Sequence, residues 1–199
     1  VYAGASLNGV YRRPVLQLPV TLSQKICIQG FYNPDTDVMV IDTVSVYLRN
    51  TSSPYEVLDF ASAAFDPTGQ GTFEFLNAVN GADYYLQLEH RNSLETWSNM
   101  PQQFSGNTLN YDFTTASSQA FGNNMIQADY SPVKFAIYSA DVNQDGVIDL
   151  SDGSLIDNDA FNFESGYLPT DVNGDGVIEL ADAVFADNNS FNFVSKITP

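Results

Sequence analysis

Two stretches thirty residues apart carry almost the same text: DVNQDGVIDLSD from Asp141 and DVNGDGVIELAD from Asp171. Aligned over 141–169 and 171–199, the two halves share 16 of 29 positions, including a later D-N-x-x-F-N-F. This duplication constrains the fold more than any other feature of the chain. Two copies of one supersecondary unit must adopt one local geometry, and neither can bury its apolar face alone.

The duplicated segment also holds most of the charge. The chain has 24 acidic and 7 basic residues, a formal net of −17. Residues 1–140 contribute 12 acids and 6 bases, whereas 141–199 contribute 12 acids and a single base, Lys196. So negative a field disfavours nucleic acid or an anionic membrane as partner and favours cations. Within each copy the oxygens recur at alternate positions, on the template D-x-[DN]-x-[DN]-G with a carboxylate at position twelve. Calcium takes six to eight oxygen ligands, which such a loop can supply. In the first loop Asp141, Asn143 and Asp145 provide side-chain oxygens, Val147 its main-chain carbonyl, Asp149 a direct or water-mediated contact, and Asp152 the closing carboxylate. In the second the same roles fall to Asp171, Asn173, Asp175, Val177, Glu179 and Asp182. Gly146 and Gly176 permit the sharp turn, and Ile148 and Ile178 are placed to pair across the loops. Two Ca2+ sites are therefore expected. Magnesium, with its tighter octahedral demand, suits such loops poorly.

Upstream, short runs of β-branched and aromatic residues read as strands: 15–22, 25–32, 43–50, 71–78, 83–92, 109–115 and 133–140. Several alternate with period two, and NPDTD, DPTGQG and NGAD between them are turn signals. Seven or more strands at this spacing predict a mainly β chain, a β-sandwich followed by the small duplicated module with short helices. The expected divisions are an N-terminal arm or linker over 1–14, a sandwich over 15–140 and the calcium module over 141–199. The arm is either a frayed connection or an extended segment that docks on a neighbouring subunit by strand addition.

Three resemblances follow from these residues. GTFEFLNA followed by GADYYLQL resembles the hairpin of prealbumin-like modules in bacterial surface proteins, which supports a sandwich. Asp at position twelve, and the lack of a long helix before each loop, depart from the ordinary EF-hand. Both features resemble dockerin modules, whose duplicated calcium loops are followed by helices. In that family, loop positions ten and eleven carry small hydroxyl residues that read the cohesin partner, with basic residues nearby. Here those positions are Leu150 and Ser151, then Leu180 and Ala181, so the metal chemistry carries over more readily than the partner. Finally, HRNSLETWS (90–98) ahead of DNNSFNFVSKITP (187–199) resembles C-terminal regions of secreted bacterial surface proteins. After each loop a short helix is expected, with Leu155 and Ile156, or Val184 and Phe185, facing inward. Phe161 and Phe163 with Phe191 and Phe193 are then expected to pack on one another across a pseudo-twofold axis.

No catalytic constellation emerges. His90, the only histidine, shares parity with Tyr84, Leu86 and Leu88 and reads as a core or edge residue bonded to backbone. Cys27 lies in the apolar run KICIQGFY and reads as an inert buried thiol, and as a lone cysteine it has no intrachain partner. Trp97 and Tyr85 are candidates for stacking on sugar rings. No apolar stretch approaches the length needed to span a bilayer, and a start at Val1 fits a processed, secreted product. The sequence thus implies a non-catalytic, extracellular calcium-binding protein. One reading is a self-assembling fibre or surface subunit or stalk, whose partners are copies of itself or a surface protein. The alternative is a recognition module of a secreted enzyme, docking a protein or holding a glycan.

Overall fold

Alternation of buried and exposed side chains becomes strand wherever one face can be covered. The structure, a computed structural model, describes residues 18–199; the expected arm over 1–14 lies outside them. Twelve strands and two helices follow in chain order. They are β1 (Val20–Lys25), β2 (Tyr32–Asn33), β3 (Val38–Met39), β4 (Thr43–Arg49), β5 (Val57–Ala64) and β6 (Gln70–Phe75). Then come β7 (Asp83–His90), β8 (Ser93–Trp97), β9 (Gln102–Gln103), β10 (Thr108–Asp112), β11 (Ile126–Tyr130) and β12 (Val133–Ala136). Helices α1 (Leu150–Phe161) and α2 (Leu180–Phe191) complete the chain.

One sheet has the order β10-β1-β6, with β1 parallel to β10 and antiparallel to β6. A second, five-stranded sheet runs β5-β4-β7-β8, with β9 paired to β7, and β2-β3 and β11-β12 form separate two-stranded sheets. Leu22, Phe73 and Phe75 from the first sheet share one buried core with Val44, Val46, Leu48 and Leu86 from the second. At roughly 1.5–3 kcal/mol for each fully buried large apolar side chain, this core dominates the stability of the β region. A second buried cluster belongs to the C-terminal unit, where Val142, Ile148, Val172 and Ile178 meet Ile156, Ala183 and Ala186. Leu94 from β8 reaches into that second cluster, so the sandwich and the duplicated unit are packed together. Among the described residues no helix is long and apolar enough to cross a membrane.

Several expectations are revised. The expected strand 25–32 is not continuous, since Lys25 ends β1 and Tyr32 begins β2: between them Ile26, Cys27 and Ile28 are buried, one bridge joins Ile28 to Ile137, and Gly30 at φ +85° then turns the chain. β6 and β7 do not form the prealbumin-like hairpin. They lie in opposite sheets, so that Phe75 and Tyr84 both pack on Phe104. The last stretch of 109–115 is a 3-10 turn, because the Asp112 side chain accepts from Thr114 N at 2.8 Å. β5 escapes the sequence reading since its hydrophobic side chains point the wrong way. Val57, Leu58 and Phe60 are exposed, while Asp59, Ala61 and Ala63 face partly inward.

Candidate functional site

Each duplicated loop is tied into a ring by its own side chains. In the first, Asn143 Oδ1 accepts from Asp145 N at 2.9 Å and Asp145 Oδ1 accepts from Val147 N at 2.9 Å. In the second, the same bonds run from Asp175 N to Asn173 and from Val177 N to Asp175, both at 2.8 Å. Position twelve closes both rings. Asp152 accepts from Val142 N and Asn143 N through one oxygen and from Asp149 N through the other, at 2.8, 3.1 and 3.0 Å. Asp182 repeats this with Val172, Asn173 and Glu179 at 2.7, 3.0 and 3.0 Å. Gly146 and Gly176 sit at φ +89° and +82°, where a Cβ would be strained. Asp149 also sits at the start of α1. Its carboxylate caps α1, accepting from Ser151 N and Ser151 Oγ at 2.7 Å each, and these bonds hold it below the usual carboxylate range.

Position one leaves one buried oxygen in each loop without a donor. Asp141 and Asp171 are both buried, and in each the Oδ1 oxygen has no hydrogen-bond partner. Burial, followed by the nearby Asp152 and Asp145 charges, pushes Asp141 up to about 7. Burial likewise raises Asp182. A buried carboxylate oxygen without a donor is costly. A hard cation with oxygen ligands fits that vacancy of donors. Among the described residues, no group of three or more His, Cys, Asp or Glu side chains is gathered to hold a metal by those groups alone. A calcium shell in these loops therefore has to draw on Asn143 or Asn173 and on the Val147 or Val177 carbonyl as well. The main-chain bridges beside the loops do not use these carbonyls. The backbone bridges beside Val147 use Gly146 O and Ile148 N, and those beside Val177 use Gly176 O and Ile178 N.

Ile148 and Ile178 bury an apolar contact between the two loops, as expected. Both isoleucines are buried in one cluster, but the main-chain bridges are Val147 to Ser195 and Val177 to Ser165. Each loop is thus laced to the segment that follows the other repeat's helix. In the helices Ile156 and Phe185 face the core as expected, whereas Leu155 and Val184 are exposed.

The four FNF phenylalanines contradict expectation most sharply. Phe161, Phe163, Phe191 and Phe193 are 83, 91, 82 and 89% exposed, and they do not pack on one another in a core. Small Ala183 and Ala186, with Ile156, let the helices close without them. Phe191 and Phe193 instead line a groove of about 630 Å³ with Val147 and Leu150. The swapped bridges put Phe161 and Phe163 in the corresponding relation to Val177 and Leu180, which are also exposed. Two like apolar faces result, each composed of one repeat's loop and the other repeat's helix end.

The second loop is also bound to the sandwich. Arg91, in the turn between β7 and β8, holds Asp42 Oδ2 at 2.9 Å and Asp171 Oδ2 at 3.3 Å, and donates to Leu168 O. Its guanidinium lies 4.5 Å from the Tyr167 ring centroid, and Tyr167 OH donates to Asp42 at 2.6 Å. Asn92 donates to Asp171 O at 2.8 Å. Burial would raise Asp42, but His90, Tyr167 and Arg91 outweigh it and hold the carboxyl well below its ordinary range.

His90 is not bonded to backbone. Its Nδ1 is hydrogen-bonded to Ser93 Oγ at 2.8 Å, and its Nε2 lies 3.2 Å from Asp42 Oδ2 without forming a hydrogen bond to it. Burial lowers its pKa. Serine, histidine and aspartate are thus adjacent, yet Ser93 is completely buried, so this chain of contacts braces a turn and offers nothing to a substrate. Cys27 is buried, and its thiol is pushed up to about 11 by that burial. Trp97 is buried too. Its ring meets Tyr55 and Tyr85 edge-on at 6.0 Å, and its Nε1 donates to Glu95 at 2.6 Å, so no open stacking platform forms.

No protein-family model matches the chain, and no curated protein matches it. Solved structures that contain a chain similar to this one include two complexes. They are a C-terminal and an N-terminal interface mutant of a type II cohesin–X-dockerin complex from Acetivibrio cellulolyticus. In each case the identity is 17%, the TM-score is 0.48, and the match covers 87% of this chain and 99% of the other.

Proposed function

We propose that this chain is a non-catalytic, extracellular docking module, in which a β-sandwich carries a dockerin-like calcium unit that presents two apolar faces to a protein partner. The docking reading rests on one observation: four phenylalanines at the helix ends are turned to solvent rather than into the core. Contiguous exposed apolar surface of this kind marks interaction sites. Calcium is supported by the orphaned, buried Oδ1 atoms of Asp141 and Asp171 inside loops with oxygen donors at alternate positions. Asp141, Asn143, Asp145, the Val147 carbonyl, Asp149 through water, and Asp152 would hold one ion. Asp171, Asn173, Asp175, the Val177 carbonyl, Glu179 and Asp182 would hold the other. The ions would neutralise crowded carboxylates and fix the loops from which Val147, Leu150, Val177 and Leu180 project.

The test is calorimetric titration with calcium, together with thermal melts in calcium and in EDTA. Two ions per chain are expected, with a melt that falls on chelation and rises with free calcium. Asp141→Ala should remove one of the two. An EDTA melt identical to the calcium melt would sink the metal reading.

A structural-subunit reading has one observation in its favour. β5 ends its sheet, pairs only with β4 among the described residues, and carries exposed Val57, Leu58 and Phe60 with no lysine or proline to discourage another strand.

A further inference from the structure

The geometry points to a partner that presents an apolar ridge flanked by lysine or arginine, an inference that rests on the docking reading and specifies the chemistry of its ligand. The centre of each face is purely apolar, Val147 and Leu150 with Phe191 and Phe193 in the first. Its rim carries Asp187, which lies outside the proposed ion shell, beside Asp149, and no base. The repeat places Glu179 and Asp157 at the corresponding positions of the second face. From Asp141 to Ser195 the chain has 12 acids and not one lysine or arginine. Lys196 supplies no counter-charge to the faces: its aliphatic stem covers Gly146, and its Nζ lies 3.5 Å from Glu95 on the sandwich.

The phenylalanines are held at these positions against a local preference. Phe163 and Phe193 have φ +58° and +55°, the left-handed conformation that ends a helix and normally belongs to glycine. The end motif is complete in both repeats. Phe163 N donates to Ala160 O and Glu164 N to Asp159 O; Phe193 N donates to Ser190 O and Val194 N to Asn189 O, at 3.0–3.1 Å. A bulky aromatic there, twice and almost fully exposed, contributes nothing to the motif that glycine would not. Its side chain is therefore the reason for its presence. A second copy of the chain fits poorly as occupant, because pairing its faces would set acidic rim against acidic rim. A basic rim meets the acids, while the apolar ridge fills the groove between loop and helix end. The charges then govern encounter and salt dependence, and the buried aromatics govern residence.

The experiment uses the full chain in millimolar calcium and three labelled model peptides followed by fluorescence anisotropy. One is an amphipathic leucine–lysine helix, one the same helix with glutamate for lysine, and one a lysine–serine peptide without the apolar face. The leucine–lysine peptide should bind, and the other two should bind at least about tenfold more weakly. Phe191→Ser with Phe193→Ser should leave binding at the other face. Adding Phe161→Ser and Phe163→Ser should weaken it by on the order of a hundredfold, with circular dichroism unchanged. Binding indifferent to the four serines would overturn both the inference and the docking reading, leaving only bulk charge attraction. Phenylalanine-dependent binding that favours the glutamate peptide would keep the docking reading and overturn the basic partner. A phenylalanine-dependent dimer of the chain alone in sedimentation would make the occupant a second copy and overturn it as well.

Discussion

At the scale of single residues, the most informative side chains are those whose backbone and burial disagree with their chemistry. Phe163 and Phe193 occupy left-handed backbone while nearly fully exposed. The left-handed conformation costs a residue with a Cβ roughly 1–2 kcal/mol, and glycine avoids that cost. Phe163→Gly and Phe193→Gly should therefore each stabilise the calcium-loaded chain by up to about 1 kcal/mol in urea denaturation while weakening peptide binding at their own faces. A loss of stability in both variants would return these rings to a packing role. The sequence hid this for a simple reason. FNF after an amphipathic helix reads as core, since burial is the usual fate of paired phenylalanines, and nothing in the text says that Ala183, Ala186 and Ile156 already close the helix pair. The proposed position-one ligands rest on the opposite kind of signal, because the alternate spacing of oxygens that would suit a hard cation is written directly into the sequence.

At the scale of elements, the turn between β7 and β8 does what no periodicity could announce. Arg91 joins Asp42 of the sandwich to Asp171, the first residue of the second loop, and all three side chains are largely withdrawn from water. Removing one member of a buried ion network leaves the others uncompensated, commonly at a cost of about 3–5 kcal/mol. Arg91→Ala should lower the melting temperature and separate one cooperative unfolding transition into two, the acidic unit melting first, as followed by calorimetry in EDTA. A single transition at the wild-type temperature would show that Arg91 is not the clasp. The first loop meets the sandwich differently, through Gln144 donating to Ser93 O and through Lys196 near Glu95, so the two halves of a near-perfect repeat are held by unlike contacts. Repeats reveal shared local geometry; what each copy leans on comes from the rest of the chain. The same distinction explains the strands. β4 and β7 could be read from alternation because one face is buried, whereas β5 could not, because its apolar residues face solvent.

For the whole molecule, the question is whether the chain associates with itself or with something else. Its formal charge of −17 falls only to −13 with two divalent ions bound, so copies repel one another at close range. Screening over about 8 Å at physiological salt softens that repulsion without reversing it. Two surfaces nevertheless invite contact: the acid-rimmed apolar faces of the C-terminal unit and the edge of β5, which is unpaired among the described residues. They call for different partners. The faces need a basic-flanked ligand, whereas the edge needs only an extended strand, and the residues outside the described region include Arg12 and Arg13 with no acid before Leu18. Docking and strand exchange therefore separate cleanly in negative-stain microscopy of the chain purified in EDTA and then given millimolar calcium. Dispersed particles are expected in both conditions, because self-association through like-charged faces is disfavoured. Calcium-dependent filaments that vanish when residues 1–14 are deleted would instead make β5 the acceptor of a neighbour's arm, and the chain a structural subunit whose ions switch assembly on.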